Sequence, residues 1–204
     1  MAMMINDASL ERELIASREA TGADRYDEVW EGMYMMATMP NTEHQKIVSR
    51  FASIFEELVG WPGIAAVMPG VNLSDRQDDW NQNYRVPDVA VALNDSDVID
   101  CGTHWFGGPD LLVEVVSEGD QTREKIPWYA QLRVKELLIF DRNPWSIELF
   151  RWQQNELIKV GQADVDYDRM LTCVSIPINL RLRPGEKRPQ IEVVARETDK
   201  TWMV

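Results

Sequence analysis

Apolar side chains recur at helical spacing in two places near the start of the chain. Leu10, Leu14 and Ile15 share one face of residues 8–20, and Gly22 is placed to end that helix. Phe51, Ile54, Phe55, Leu58 and Val59 mark the buried face of a second helix. It opens at Asn41-Thr-Glu-His with a capping residue and stops at Gly60 and Pro62. Between the two, β-leaning runs flank Glu31-Gly32, which predicts a tight hairpin within Tyr26–Met36. The methionine run Met33–Met39, broken by Tyr34, Ala37 and Thr38, reads as a buried strand.

The pattern then turns to β. Ile64–Val67 and Val71–Leu73 are short strands. Ser74–Tyr84 is polar, carries Asp75, Asp78 and Asp79, and reads as a loop. Val86–Leu93 alternates as a strand, with Pro87 at its start, where a missing N–H is tolerated. Asn94–Pro109 is a loop containing Gly102, Gly107 and Gly108. Leu111-Leu-Val-Glu-Val-Val-Ser is an apolar run of strand length interrupted by one carboxylate. Gln121–Leu132 reads as a helix in which Pro127 must lie in the first turn or force a kink. Glu136–Asp141 is another central strand, and Ser146–Trp152 pairs with Glu156–Val160 around Gln153-Gln-Asn. The tail holds two or three more strands, including Ile191–Val194. With no internal repeat and no clear boundary, the pattern describes one mixed α/β domain.

Composition changes that picture little. The chain has 204 residues, 45% hydrophobic and 27% charged, enough for a real core and ordinary for a globular protein. No apolar run is long enough to cross a membrane, and Met1-Ala-Met-Met-Ile-Asn-Asp has no basic, leader-like character. Cys101 and Cys173 stand far apart, which argues against a disulfide framework and against a Cys-based zinc site. The expectation is a cytoplasmic protein with reduced thiols. The net charge of −13 repels a phosphate backbone at long range, yet clustered carboxylates are what a hard cation binds.

Three residues carry the candidate chemistry. Glu114 lies in the middle of an apolar strand, where an unpaired carboxylate would be expensive to bury. It either meets a cation or a polar cleft, or it faces solvent while Val113 and Val115 face the core. Asp88, behind Pro87, is a site carboxylate or a strand-start turn residue. Lys125, near the start of the following helix, is a site cation or a solvated surface lysine. Together the three match what phosphodiester hydrolysis requires. Two carboxylates on neighbouring strands can share Mg²⁺ or Mn²⁺, and an ammonium can orient water or stabilise developing charge. Of eight tryptophans, Trp128, Trp145 and Trp152 belong to amphipathic elements and pack, whereas Trp61, Trp80 and Trp105 lie in loops, where stacking on bases is the lesser alternative.

The blocks Val86-Pro-Asp-Val-Ala-Val, Gly108-Pro-Asp-Leu-Leu-Val-Glu-Val-Val-Ser, Lys125 with Tyr129-Ala, and Glu136-Leu-Leu-Ile-Phe-Asp resemble the Uma2 family (DUF820) in order and spacing. Val29-Trp-Glu-Gly-Met-Tyr-Met-Met followed by His44 resembles the family's opening hairpin and helix. The resemblance spans about residues 26–195, leaving residues 1–25 as a helical extension and 196–204 as a tail. It implies a restriction-endonuclease-like fold of the PD-(D/E)XK superfamily: a mixed β-sheet core flanked by helices, with additional β-hairpins. By the same resemblance Asp88 is the Asp of the Pro-Asp motif and Glu114 the acid of the second motif. The general nuclease pattern places a lysine two residues later, where this chain has Val116, so Lys125 would have to stand in for it. The resemblance also implies Glu31 as an additional metal-site carboxylate, with a hairpin-turn role as the alternative. His44 reads first as a helix-start residue, with contact to the site as the alternative, Asp110 and Ser117 as structural residues flanking the strand, and Tyr129 as a core or cleft-wall aromatic.

The leading expectation is therefore a Mg²⁺- or Mn²⁺-dependent DNA endonuclease, a homodimer because cutting two strands calls for two sites. Two alternatives stand beside it: a catalytically silent member of the fold used for binding or assembly, and an enzyme acting on a small substrate such as a nucleotide.

Overall fold

Strict alternation along Leu111–Val115 (β9 in chain order) sets the architecture. Leu111, Val113 and Val115 enter one hydrophobic cluster, and Leu112 enters another on the opposite face. A strand apolar on both faces must be covered on both. The computed structural model describes residues 8–119, 121–198 and 200–204; the expectation of no leader falls on residues 1–7, outside them.

The central sheet has six strands. β3 (Ala65–Pro69), β6 (Val89–Leu93) and β9 pair antiparallel. β9 runs parallel to β10 (Glu136–Arg142), and β11 (Trp145–Gln153) and β12 (Glu156–Asp164) complete the sheet as a hairpin. The parallel step from β9 to β10 needs a crossover, which α3 (Ile126–Gln131) supplies.

One face is covered by α2 (Thr42–Phe55) and a four-stranded sheet of β13 (Leu171–Thr172), β14 (Ile178–Arg183), β15 (Gln190–Ala195) and β16 (Thr201–Met203). Asn41 caps α2 by accepting the His44 N–H, and Ile47, Phe51 and Ile54 form its buried stripe. Phe51 packs against Phe140 with ring centroids 4.5 Å apart. The other face receives α3 and a six-stranded sheet of very short strands. These are β1 (Glu28–Trp30), β2 (Met33–Met35), β4 (Leu73–Ser74), β5 (Tyr84–Arg85), β7 (Ile99–Asp100) and β8 (Trp105–Phe106). α1 (Ala8–Thr21) is tied to the hairpin through Arg18, which bonds the buried Asp27 carboxylate.

The expected elements are present, with four differences. The hairpin turns at Glu31-Gly32, both at positive φ, as a two-residue connection between right-twisted strands requires. The methionine run is not a buried strand, however: β2 ends at Met35 and is a sheet edge with Met33 exposed, and Met36 and Met39 follow it as exposed residues outside the strand. The stretch 94–109 is not a plain loop, since β7 and β8 form within it and bury Trp105 by pairing with β4. The helix expected over 121–132 is split into a 3-10 turn at Thr122–Lys125 followed by α3, because Pro127 has no N–H and can stand only in a first turn. The stretch 74–84 is not a plain loop either, since Trp80–Gln82 forms a 3-10 turn and Tyr84 opens β5.

Gly108 holds the entry to β9 against the exit of α3. A Cβ there would lie 2.3 Å from the Leu132 carbonyl oxygen and 2.6 Å from the Val134 nitrogen, both backbone atoms that cannot swing away. Gly108→Ala is therefore expected to cost about 1–3 kcal/mol through forced backbone displacement. Urea unfolding measures this, and a loss below about 0.5 kcal/mol would show that α3 and β9 separate freely.

Candidate active site

Antiparallel pairing of β6 with β9 matches Val89 with Val113, and one further step sets Asp88 across from Glu114. Pro87 and Asp88 precede β6, which starts at Val89, so the Asp88 side chain stands at the sheet margin and is 17% exposed. Its Oδ2 accepts the Val115 N–H at 2.7 Å, and His44 Nε2 lies 3.3 Å from the same oxygen.

Glu114 is nearly inaccessible, its side chain 4% exposed. Its Oε1 accepts the Tyr129 hydroxyl at 2.5 Å and lies 3.1 Å from Lys125 Nζ. The split helix makes this possible: Lys125 ends the 3-10 turn, and Tyr129 follows one turn later on α3. Lys125 Nζ also lies 2.7 Å from Glu28 Oε1 on β1. Two of its three N–H groups thus have carboxylate partners. Glu28 is itself held, accepting the Val86 N–H at 2.9 Å and the Trp30 indole N–H at 2.6 Å.

The first sheet is docked onto α3 by a cation between two rings. The Arg85 guanidinium sits 4.5 Å from both the Trp30 and the Trp128 ring centroids and donates to the Val29 carbonyl. Trp30 carries the hydrogen bond to Glu28, and Trp128 is the neighbour of Tyr129, so this stack sets Glu28 against Lys125.

Asp88, Glu114 and Lys125 are thus brought together. Glu31 is not among them: it occupies the hairpin turn, where its carboxylate accepts from Asn83 Nδ2 at 2.7 Å. The acid that does join is Glu28, three residues earlier. Its signal was weak but present, an acid sharing a strand face with a tryptophan. His44, read first as a helix-start residue, reaches Asp88. Tyr129 is a core aromatic and a hydrogen-bond donor to the site at once. Val116 is partly buried against the second cluster, and its carbonyl is held by Arg142. Asp110 is structural, accepting the Leu93 N–H. Of the three tryptophans expected in loops, Trp105 is interior, Trp80 stacks on His104, and Trp61 is 75% exposed.

The electrostatics are unbalanced by design of the packing. Burial pushes the Glu114 carboxyl up, to about 8; Lys125 and the Tyr129 hydrogen bond pull it down, but Asp88 and Glu28 add to the rise. Burial also pulls Lys125 down, and Glu114 and Glu28 more than offset it, so the ammonium stays charged above the ordinary lysine range. Tyr129, raised well above its usual value by burial and by Glu114, remains a neutral donor. Three carboxyl groups therefore gather at Glu114, and the Lys125 ammonium pairs with two of them. Among the described residues no three His, Cys, Asp or Glu side chains are grouped closely enough to hold a metal by themselves. Asp88 and Glu114 nonetheless suit Mg²⁺, which binds through one or two carboxylates and keeps several waters, once the ion displaces the Glu114 proton. Beside the site lies an open cleft of about 550 Å³, lined by Asn41, Val116, Gln121, Arg123, Asp141 and Arg142 among others; Asp88 and Glu114 do not line it.

The model of the Uma2 family, described as "Putative restriction endonuclease", matches residues 15–183. The chain belongs to the Uma2 family. It is also similar to a solved structure from Anabaena variabilis ATCC 29413, titled a putative nuclease belonging to DUF820. That match has a TM-score of 0.56 at 19% identity and covers 73% of this chain and 82% of that one. The likeness shows the fold. No curated protein matches this Uma2 chain. Family and fold together make the protein nuclease-like. Among the described residues no helix is long and apolar enough to cross a membrane.

The raised Glu114 carboxyl has a consequence for stability. Between the ordinary carboxyl range and about pH 8, the folded protein keeps a proton that the unfolded chain has released. This group's contribution therefore falls as pH rises through that window. Unfolding free energies at pH 5 and pH 8 are expected to show the metal-free protein losing stability relative to Glu114→Gln by a few kcal/mol. A difference that does not change between the two pH values would contradict the assignment.

Proposed function

We propose that this Uma2 protein is a metal-dependent endonuclease that hydrolyses phosphodiester bonds in DNA, with Mg²⁺ or Mn²⁺ as its cation. The observation that carries the reading is the gathering of Asp88 and Glu28 around the buried Glu114, with Lys125 Nζ paired to Glu114 and Glu28, at the margin of the central sheet. Asp88 and Glu114 would hold the ion, and Glu28 rather than Glu31 stands next to them. When bound, such an ion polarises a phosphoryl oxygen and lowers the pKa of a coordinated water.

The protein's own groups supply the rest. Glu114 and Glu28 hold the Lys125 ammonium above the ordinary lysine range against the effect of burial, so it serves as an electrostatic stabiliser of the transition state and not as a base. Its third N–H, which takes no partner among the described residues, is available to a phosphoryl oxygen. Glu28 holds the lysine in place from the opposite sheet. Tyr129 and Lys125 both engage Glu114 Oε1, and no described hydrogen bond uses Oε2. The ammonium performs this role from the 3-10 turn that leads into the crossover helix, because Val116 occupies the strand position where the general nuclease pattern has its lysine.

The net charge of −13 makes the bound cation a precondition for approach of a phosphodiester, and cleavage of a duplex calls for two sites. The proposal therefore includes a homodimer, acting in the cytoplasm. Incubation with supercoiled plasmid and Mg²⁺ or Mn²⁺ is the test. Nicking is expected for the native chain, is abolished by chelation of the metal or by Glu114→Ala, and falls about 100- to 1,000-fold in Lys125→Ala. No cleavage with any divalent ion, together with no metal bound, would establish instead a silent nuclease fold used for binding or assembly.

A further inference from the structure

Asp88 is the more exposed of the two proposed ligands, yet its carboxylate is not free to turn. Both contacts to its side chain fall on Oδ2: the Val115 N–H at 2.7 Å and His44 Nε2 at 3.3 Å. No described hydrogen bond uses Oδ1. A carboxylate held through one oxygen presents the other in a defined direction.

The imidazole that helps to hold it is rigidly mounted. His44 is the third residue of α2 and is 7% exposed, on the same stripe as Ile47, Val48 and Phe51. Its own backbone N–H is capped by Asn41 Oδ1 at 2.9 Å. The same Asn41 oxygen accepts from Arg142 Nη1 at 2.9 Å, and Arg142 Nη2 donates to the Val116 carbonyl at 2.9 Å. The first turn of α2 is thereby fastened to the exit of β9, the strand that carries Glu114. A carboxylate oxygen can only accept, so a hydrogen bond across this contact requires the proton on Nε2. The other ring nitrogen, Nδ1, is buried without a partner among the described residues. A merely structural histidine would be expected to use both nitrogens.

We infer that His44 is a positioning residue for the metal site, one that donates from Nε2 to Asp88 and turns the remaining carboxylate oxygen towards the cation. The inference rests on the metal-dependent reading above and deepens it. Hydrogen-bond partners of metal ligands fix ligand orientation, and their loss weakens metal affinity about 10- to 100-fold.

The test is Mn²⁺ binding, followed by electron paramagnetic resonance on the full chain without DNA, with thermal melts alongside. The variants are His44→Ala, His44→Asn and His44→Gln. A glutamine amide places its N–H near the position of Nε2, whereas an asparagine amide falls short of it. His44→Ala and His44→Asn are expected to bind Mn²⁺ about 10- to 100-fold more weakly, and His44→Gln to recover most of that loss. Rescue by Gln but not Asn is not expected of a residue that only fills space. Equal binding by the native and His44→Ala proteins would overturn the inference while leaving the metal site standing, as would a His44→Gln variant as weak as His44→Asn. Should His44→Ala not fold, the comparison of Gln with Asn decides. A native chain that takes up no Mn²⁺ would overturn the metal reading itself, and the positioning role with it.

Discussion

The constraint on which this structure depends is the burial of one carboxylate, Glu114, inside a strand that is otherwise wholly apolar. Leaving that group unpaired would cost several kcal/mol, more than most single contacts return. The surroundings supply a lysine and a tyrosine, yet both act on the same oxygen. The neighbouring strand and the first sheet then add two more carboxylates. The comparison with Glu136, one strand over and equally buried, is instructive. Glu136 is satisfied at both oxygens, by Arg151 on one side and by the Val174 and Ser175 N–H groups on the other. Glu136 is a completed structural clamp, whereas Glu114 keeps an excess of negative charge around it.

Several otherwise unrelated features serve that arrangement. Pro127 ends the 3-10 turn and starts α3, so that Lys125 and Tyr129 project to the same oxygen. Gly108 lets the exit of α3 close onto the entry of β9. The Arg85 stack between Trp30 and Trp128 holds the first sheet against α3 and carries Glu28 to Lys125. Arg142 ties the start of α2 to the end of β9, which keeps His44 beside Asp88. Each is a packing device whose effect is felt at the site, and each joins elements far apart in the chain.

Much of this was legible in the order of residues alone. Alternation located β6, β9 and β10, helical periodicity located α1 and α2, and a carboxylate inside an apolar run marked Glu114. Asp88 and Lys125 followed from the Uma2 resemblance. The short strands β7 and β8 were not legible, because two-residue strands have no periodicity and exist only by pairing with β4. The exposure of Met33 was hidden too, since composition does not say which strand becomes an edge. Glu31 was put forward where Glu28 now stands: a hairpin can be placed from its turn, but which of its acids meets a lysine more than ninety residues later depends on how the hairpin docks.

What the sequence determined by itself is therefore local: where strands and helices begin and end, and which side chains share a face. These follow from backbone sterics and from the period of each element, which act over a few residues. What only the tertiary structure decided is the charge balance of the site. The pairing of Glu28 with Lys125, the imidazole at Asp88, and the meeting of the Lys125 ammonium with Glu114 all depend on distances between elements. Electrostatic and desolvation energies depend on those distances, and a linear pattern does not contain them.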